Sequence, residues 1–243
     1  MITEESFIDF KCPHCGAAVS FPQETAGYAQ ACPECFESLI VPDDGSEVGK
    51  ALPLPIETAR LVIRRLAPGD WKDLIELTAD EDLFQYTEGR PLEEEEVLRW
   101  LESDPHVKLT TPNQQFFLAL EAREQGKLVG YIGLMQTDPQ RLQAALNIYV
   151  SKAFQRQGVG SEALDAVARF CFQGVKLHRV SASCDSRNTA ACRLLEKLGF
   201  RREGEFVKDH LLRGQWANTV WYAALREDYL KEGQGAESPK AEA

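Results

Sequence analysis

Gln155-Arg156-Gln157-Gly158-Val159-Gly160 is the stretch on which the reading of this chain turns. A strand-like run, Ala145-Leu146-Asn147-Ile148-Tyr149-Val150, leads into it. Residues 161–172 follow it with Ala163, Leu164, Val167, Ala168 and Phe170 at helical spacing. A strand, a glycine-bearing turn and a helix start together make an anion site. The first N–H groups of a helix lack intrahelical partners, and the helix dipole adds positive character at the same place. Gly158 and Gly160 let the main chain approach a phosphate with no side chain in the way. The pattern predicts a ligand that carries phosphate.

The 243 residues suffice for one sizeable domain and a small one. The apolar share (44%) and charged share (27%) are those of an ordinary soluble protein. A net charge of −11 argues against nucleic acid or an anionic membrane as the main partner, and would suit a cationic substrate. No apolar stretch approaches a membrane span. The opening Met1-Ile2-Thr3-Glu4-Glu5 lacks the features of a signal peptide, so a cytoplasmic location with reduced cysteines is expected.

Four of the seven cysteines form two Cys-x-x-Cys pairs, Cys12/Cys15 and Cys32/Cys35, with sixteen residues between the pairs. Each pair makes a tight knuckle whose thiolates point the same way, and two knuckles complete a tetrahedron around Zn²⁺. Pro13 and Pro33 stiffen the knuckles, Gly16 follows the first, and His14 reads as exposed rather than as a ligand. Short segments at 18–21 and 39–41 read as hairpin strands. Residues 7–42 resemble a zinc ribbon. So short a unit needs its metal to fold, and four thiolates leave no open position, so a structural zinc is expected. Residues 1–50 hold nine acidic residues against two lysines, a net charge of −7. Such a ribbon would repel nucleic-acid phosphate; docking a protein partner or a purely structural role is expected instead.

Residues 43–55, with their prolines and glycines, read as a linker, and residues 231–243 as a disordered tail. Between them, residues 56–230 alternate strand and helix patterns: a strand at 60–66, helices at 71–77 and 93–102, and paired strands at 116–121 and 128–135. After the glycine turn and its helix come a strand at 179–184 and a helix at 189–198 that stops at Gly199. Late strands at 206–211 and 219–225 end the series. The glutamates at 93–96 read as a solvated helix start. The expected class is α/β (α+β), with a mixed sheet flanked by helices.

Three stretches, "ETARLVIRRLAPGDWKDLIELTADEDLFQYT", "QRQGVG" and "NTAACRLLEKLGFRREGEF", together resemble the GNAT superfamily of N-acetyltransferases, on the branch that includes the ribosomal-protein alanine N-acetyltransferases. The resemblance implies a mostly antiparallel sheet and acetyl-CoA as co-substrate. Its pyrophosphate would rest on the backbone of Gln155, Arg156, Gln157, Gly158, Val159, Gly160 and Ser161. Its pantetheine would run beside Ile148 and Val150 like an added strand, with Asn188 near the pantetheine or thioester. An amine would attack the acetyl carbonyl directly, with a strand N–H stabilising the oxyanion.

Proton handling departs from the pattern. The slot that holds a tyrosine acid in many relatives is Leu195, the branch's serine slot is Ala191, and a strand position often held by glutamate is Ala145. Asn188, Tyr149 and Cys192 are the catalytic candidates, with Asn147, Asp209 and His210 as further possible proton carriers. Cys192 is also readable as packing, as are Cys171 and Cys184. Trp216 reads equally as a rim or a core aromatic, and Asn218 occupies a slot often held by aspartate. The leading function is acetyl transfer to a primary amine, either a protein N-terminus or a small molecule. The alternative is a catalytically silent acyl-CoA-binding module whose ribbon makes the functional contact. A transcription-associated regulator is opposed by the ribbon's charge.

Overall fold

The apolar patterns resolve, in a computed structural model that describes residues 6–46, 50–104, 115–137 and 142–232, into a small cysteine-bearing unit and a large mixed sheet. In the small unit β1 (Phe7–Lys11) pairs antiparallel with β2 (Ala18–Pro22), and β4 (Ser38–Ile40) lies between β3 (Ala29–Ala31) and β5 (Lys50–Ala51). The two knuckles repeat the same backbone bonds. Gly16 N donates to Cys12 O at 3.0 Å, and Phe36 N to Cys32 O at 2.9 Å. Both turns need a left-handed residue; Gly16 supplies it at φ +74°, whereas Phe36 adopts φ +60° with its ring exposed. Phe10, Val19, Leu39 and Val41 close a core over Cys12 and Cys32.

Within the stretch read as a linker, Lys50–Ala51 is a strand, and Leu52 and Leu54 pack on the core of the larger sheet. Ala29 belongs to that same core, and Lys176 pairs with Asp43. The tail expected at 231–243 lies almost wholly outside the described residues; Lys231 and Glu232 close the last helix.

The larger sheet has eight strands in the order β12-β13-β11-β10-β9-β8-β7-β6. Short β6 (Ile56–Glu57) and β7 (Leu61–Arg65) form one edge. The sheet continues through β8 (Gln115–Ala122), β9 (Lys127–Gln136) and β10 (Gln143–Val150) to β11 (Arg179–Asp185). The hairpin of β13 (Gln215–Leu225) and β12 (Arg201–Leu212) completes it. Every neighbouring pair is antiparallel except β10 and β11. The class is the expected one.

Helices cover both faces. On one, α1 (Trp71–Thr78) buries Leu74 and Leu77 and α2 (Glu94–Ser103) buries Val97 and Leu101, at the spacing of a single helix face, over Ala119, Leu128 and Tyr131. The glutamates at 93–96 are a cap rather than only a solvated start: Glu93 N donates to the Glu96 carboxylate at 2.9 Å, which Arg90 also holds. On the other face, α3 (Val159–Arg169), α4 (Thr189–Lys197) and α5 (Arg226–Glu232) bury Ala163, Leu164, Val167, Leu195 and Tyr229 in the main core.

Three elements depart most from the sequence pattern. The helix after the glycine turn starts at Val159 and gives way at Phe170–Gly174 to a π-helical turn, so it is shorter than residues 161–172 suggest. The last two strands are longer than read, at 12 and 11 residues, β12 because it is an edge strand whose side chains are mostly exposed and show no apolar alternation. Bulges between Arg202 and Gly204 and between Phe206 and His210 further break its period.

Candidate active site

β10 and β11 are in register only at residues 143–145 and 179–181. Beyond Ala145, β10 stays paired with β9 as far as Val150, and β11 stays paired with β13 as far as Asp185. The two strands therefore part, and the β10 edge at 146–150 that faces β11 has no registered strand partner among the described residues. A row of backbone donors and acceptors facing a gap is a template for an extended ligand. Ile148 and Val150 turn their side chains into the core beneath α3, so it is their main chain that is offered.

The glycine turn sits at the end of this strand. Gly158 has φ +81° and ψ 0° and is the N-cap of α3; Arg156 is also left-handed at φ +60°. No side chain caps α3, so its first N–H groups are not used internally. The loop is tied from within. The Gln155 side-chain amide donates to Val150 O at 2.8 Å, and that of Gln157 donates to Ala153 O at 2.6 Å. At Gly160 an added Cβ would find Leu194 at 3.7 Å and Val150 at 3.9 Å, so the protein itself does not require glycine there. Val159 is buried as the first core residue of α3, and Ser161 is half-buried.

Asn188, the N-cap of α4, accepts a hydrogen bond from Ala191 N at 3.0 Å through its side-chain oxygen. Tyr149 packs against Tyr131 with tilted ring planes, centroids 4.9 Å apart, and reaches Phe84 at 5.9 Å, under α1 and α2. Cys192 lies over the opposite face, packed on the main core with its Sγ 3.6 Å from Cys184 Sγ. Burial and this neighbour push the Cys184 thiol up to about 12. Tyr149 and Cys192 thus belong to opposite layers of the sheet. Cys171 is wholly buried and raised to about 12 by burial alone, as a packing cysteine should be. Trp216 is 62% exposed. Asn218 pins the β12 bulge, its Oδ1 accepting from Lys208 N at 2.9 Å and its amide donating to Glu205 at 2.7 Å.

The fold also assembles a polar cluster beside the gap. Ala145 pairs with Ser181, so Asn147 and Tyr149 share a sheet face with Ser183 and Asp185 on the far side of the parting strands. His210 reaches over β13 from the edge strand to that face. Its Nε2 lies 3.7 Å from Asp185, and its Nδ1 lies 3.2 Å from Asp209 and 3.1 Å from the Thr219 hydroxyl. Arg187 forks onto Asp185 at 2.6 and 2.9 Å and holds that carboxyl below its usual range. Sequence reading passed over Asp185 and Arg187; no spacing rule joins them to His210.

In the small unit the four cysteine Sγ atoms lie within 4.8 Å of one another, with Cys12 to Cys35 at 3.8 Å and Cys15 to Cys32 at 3.9 Å. A Zn–S bond of about 2.3 Å in a tetrahedron separates sulfurs by about 3.8 Å. The cluster is therefore compatible with zinc, while the exposed His14 points its Nε2 to Ser38 O at 3.0 Å.

A sheet that parts at its parallel pair, with a glycine turn and a free helix start at the mouth, is the architecture of an acyl-CoA-dependent acyltransferase. Residues 60–201 match the family described as acetyltransferase (GNAT) domain, and the chain belongs to that family. It is 28% identical over 174 residues to the uncharacterized N-acetyltransferase YnaD of Bacillus subtilis, spanning 72% of this chain and 98% of the relative. An acetyltransferase of the GNAT family from Bacillus anthracis, of known structure, shares 29% identity with a TM-score of 0.63, over 71% of this chain and 98% of that one. The spermidine N-acetyltransferase from Vibrio cholerae, solved in complex with CoA and spermine, has the same fold at 21% identity and a TM-score of 0.63, over 71% of this chain and 99% of that one. Acetyltransferase chemistry drawing on acetyl-CoA goes with membership. No helix among the described residues is long and apolar enough to cross a membrane.

Proposed function

We propose that this protein transfers the acetyl group of acetyl-CoA to a primary amine, either a protein N-terminal amine or a small-molecule amine, by direct attack. The parting of β10 from β11 beside the glycine turn is the observation that carries the reading. The N–H groups of residues 155–161 would hold the pyrophosphate, and the β10 edge at Ile148 and Val150 would pair with the pantetheine arm. Asn188, fixed as a helix cap, would border the thioester end. The amine would approach from the face of Tyr149, attack the acetyl carbon and release the CoA thiolate, while a strand N–H stabilises the oxyanion. His210, steadied by Asp185, is the best-supplied proton carrier on that face, ahead of Tyr149 and Cys192, which are committed to packing on opposite layers.

A cationic acceptor is supported by the chain's −11 charge. That the related Vibrio cholerae enzyme was solved with spermine agrees with an amine of this kind. Cys12, Cys15, Cys32 and Cys35 would hold a structural Zn²⁺, and the acidic ribbon would dock a protein partner or brace the chain in the cytoplasm.

A thiol-release assay with acetyl-CoA, a panel of polyamines and a panel of N-terminal peptides tests the reading. CoA release with at least one acceptor is expected. Tight acetyl-CoA binding with no release across both panels would instead favour the silent acyl-CoA-binding module, which the relatives named as N-acetyltransferases do not favour.

A further inference from the structure

Glu162 sits in the first turn of α3, beside the N–H groups that would meet a pyrophosphate. A bare carboxylate there would repel that ligand and compete with it for the positive end of the helix. The fold cancels this charge from a segment distant in sequence, the turn between β6 and β7. Thr58 Oγ1 donates to Glu162 Oε1 at 2.6 Å, Arg60 N donates to the same oxygen at 2.8 Å, and Arg60 Nε donates to Oε2 at 2.6 Å. These donors outweigh the upward push of burial and hold the Glu162 carboxyl below its usual range.

The same guanidinium reaches the loop. Arg60 Nη1 donates to Gln157 O at 2.6 Å, and Nη2 lies 3.3 Å from the point where a Cβ on Gly158 would stand. Nη2 has no hydrogen-bond partner among the described residues, and the side chain is 48% exposed. By taking up the Gln157 carbonyl, Arg60 fixes which way the Gln157–Gly158 peptide faces, and so where the next N–H groups point. Its planar fork suits this work, because one edge can serve the protein while a remaining N–H serves an anion.

We infer that Arg60 is a donor-binding residue, clamping the loop through Gln157, neutralising Glu162, and offering Nη2 to a phosphate oxygen of acetyl-CoA. This rests on the assignment of residues 155–160 to the pyrophosphate. It adds to that assignment a side chain from the far edge of the sheet and a reason for a carboxylate at an anion site.

Calorimetric titration of CoA into the wild type, Arg60→Gln, Glu162→Gln and the double variant tests the inference. It is paired with turnover of S-acetylpantetheine, which keeps the thioester but lacks the pyrophosphate. Losing a charge-assisted contact and exposing Glu162 should weaken CoA about tenfold to a hundredfold in Arg60→Gln. Removing the carboxylate as well should restore part of that loss. The KM for S-acetylpantetheine should stay within about twofold of wild type, a selectivity that general loosening of the loop would not produce. Arg60→Lys, which keeps the charge and loses the fork, provides a second variant should Arg60→Gln fold poorly. It should bind CoA between the wild type and Arg60→Gln. Wild-type CoA affinity in Arg60→Gln, or an equal loss with both donors, would overturn the role of Arg60 alone. A wild type that binds no CoA would overturn the loop assignment and this inference with it.

Discussion

His210 Nε2 lies 3.7 Å from Asp185 Oδ2, so a side chain from the edge strand crosses β13 to meet a fully buried carboxylate at the end of β11. The bulge between Phe206 and His210 makes this reach possible, because it adds residues to β12 that β13 does not match. If this pair carries the amine proton, His210→Gln should lower kcat by about a hundredfold while leaving the KM for acetyl-CoA near its wild-type value. Steady-state kinetics over both substrates checks it; an unchanged kcat would remove His210 from the reaction.

Gly158 has φ +81°, where any side chain is strained, and an added Cβ would stand 3.3 Å from Arg60. Gly158→Val should therefore distort the loop and cost about 1–3 kcal/mol locally. CoA binding should be abolished while zinc content is retained, since the loop and the cysteine cluster share no residue. Calorimetry and metal analysis on the same preparation read both outcomes, and retained CoA affinity would argue against the loop as the donor site.

Cys32 and Cys35 each supply one sulfur to the four-thiol cluster. Replacing both by serine should release zinc and unfold the small unit, whose buried core is only a few residues beyond the cysteines themselves. The melting temperature of the whole chain should fall too, because Ala29 of that unit is packed into the core of the large sheet. Atomic absorption and thermal unfolding measure the two effects; unchanged metal content would refute the zinc assignment.

Glu203 on β12 is held at about 2, against an ordinary 4.5, chiefly by hydrogen bonding to Arg179 on β11, with Arg201 adding to it. A folded value below the unfolded one contributes stability that is fully present above about pH 4.5. That contribution is lost as pH falls toward 2. Glu203→Gln should therefore lower the melting temperature slightly at neutral pH and converge with wild type near pH 2. Equal differences at both ends of that range would show that the ion pair is not the source.

Local pattern carried much of the architecture. The glycine turn at 155–160, its flanking strand and helix, and the cysteine knuckles were legible because each depends on neighbours a few residues apart. Gly158 must be left-handed where the chain turns into α3, and each Cys-x-x-Cys pair sets two thiols on one knuckle. The length of β12 escapes the sequence because an exposed edge strand with bulges has no apolar period to follow. Asn188 was placed correctly at the start of α4, yet its side-chain oxygen is occupied as a cap, a commitment visible only once Ala191 N is positioned.

The donor class and family, and hence the expected acetyl-CoA chemistry, were determined by sequence alone, since short contiguous motifs encode them. Tertiary structure alone decided how the site is completed. Arg60 meets Glu162 across 102 positions, and His210 meets Asp185 over an intervening strand. Such pairings depend on strand order, register and a bulge, which arise from packing the whole sheet rather than from any local run of residues.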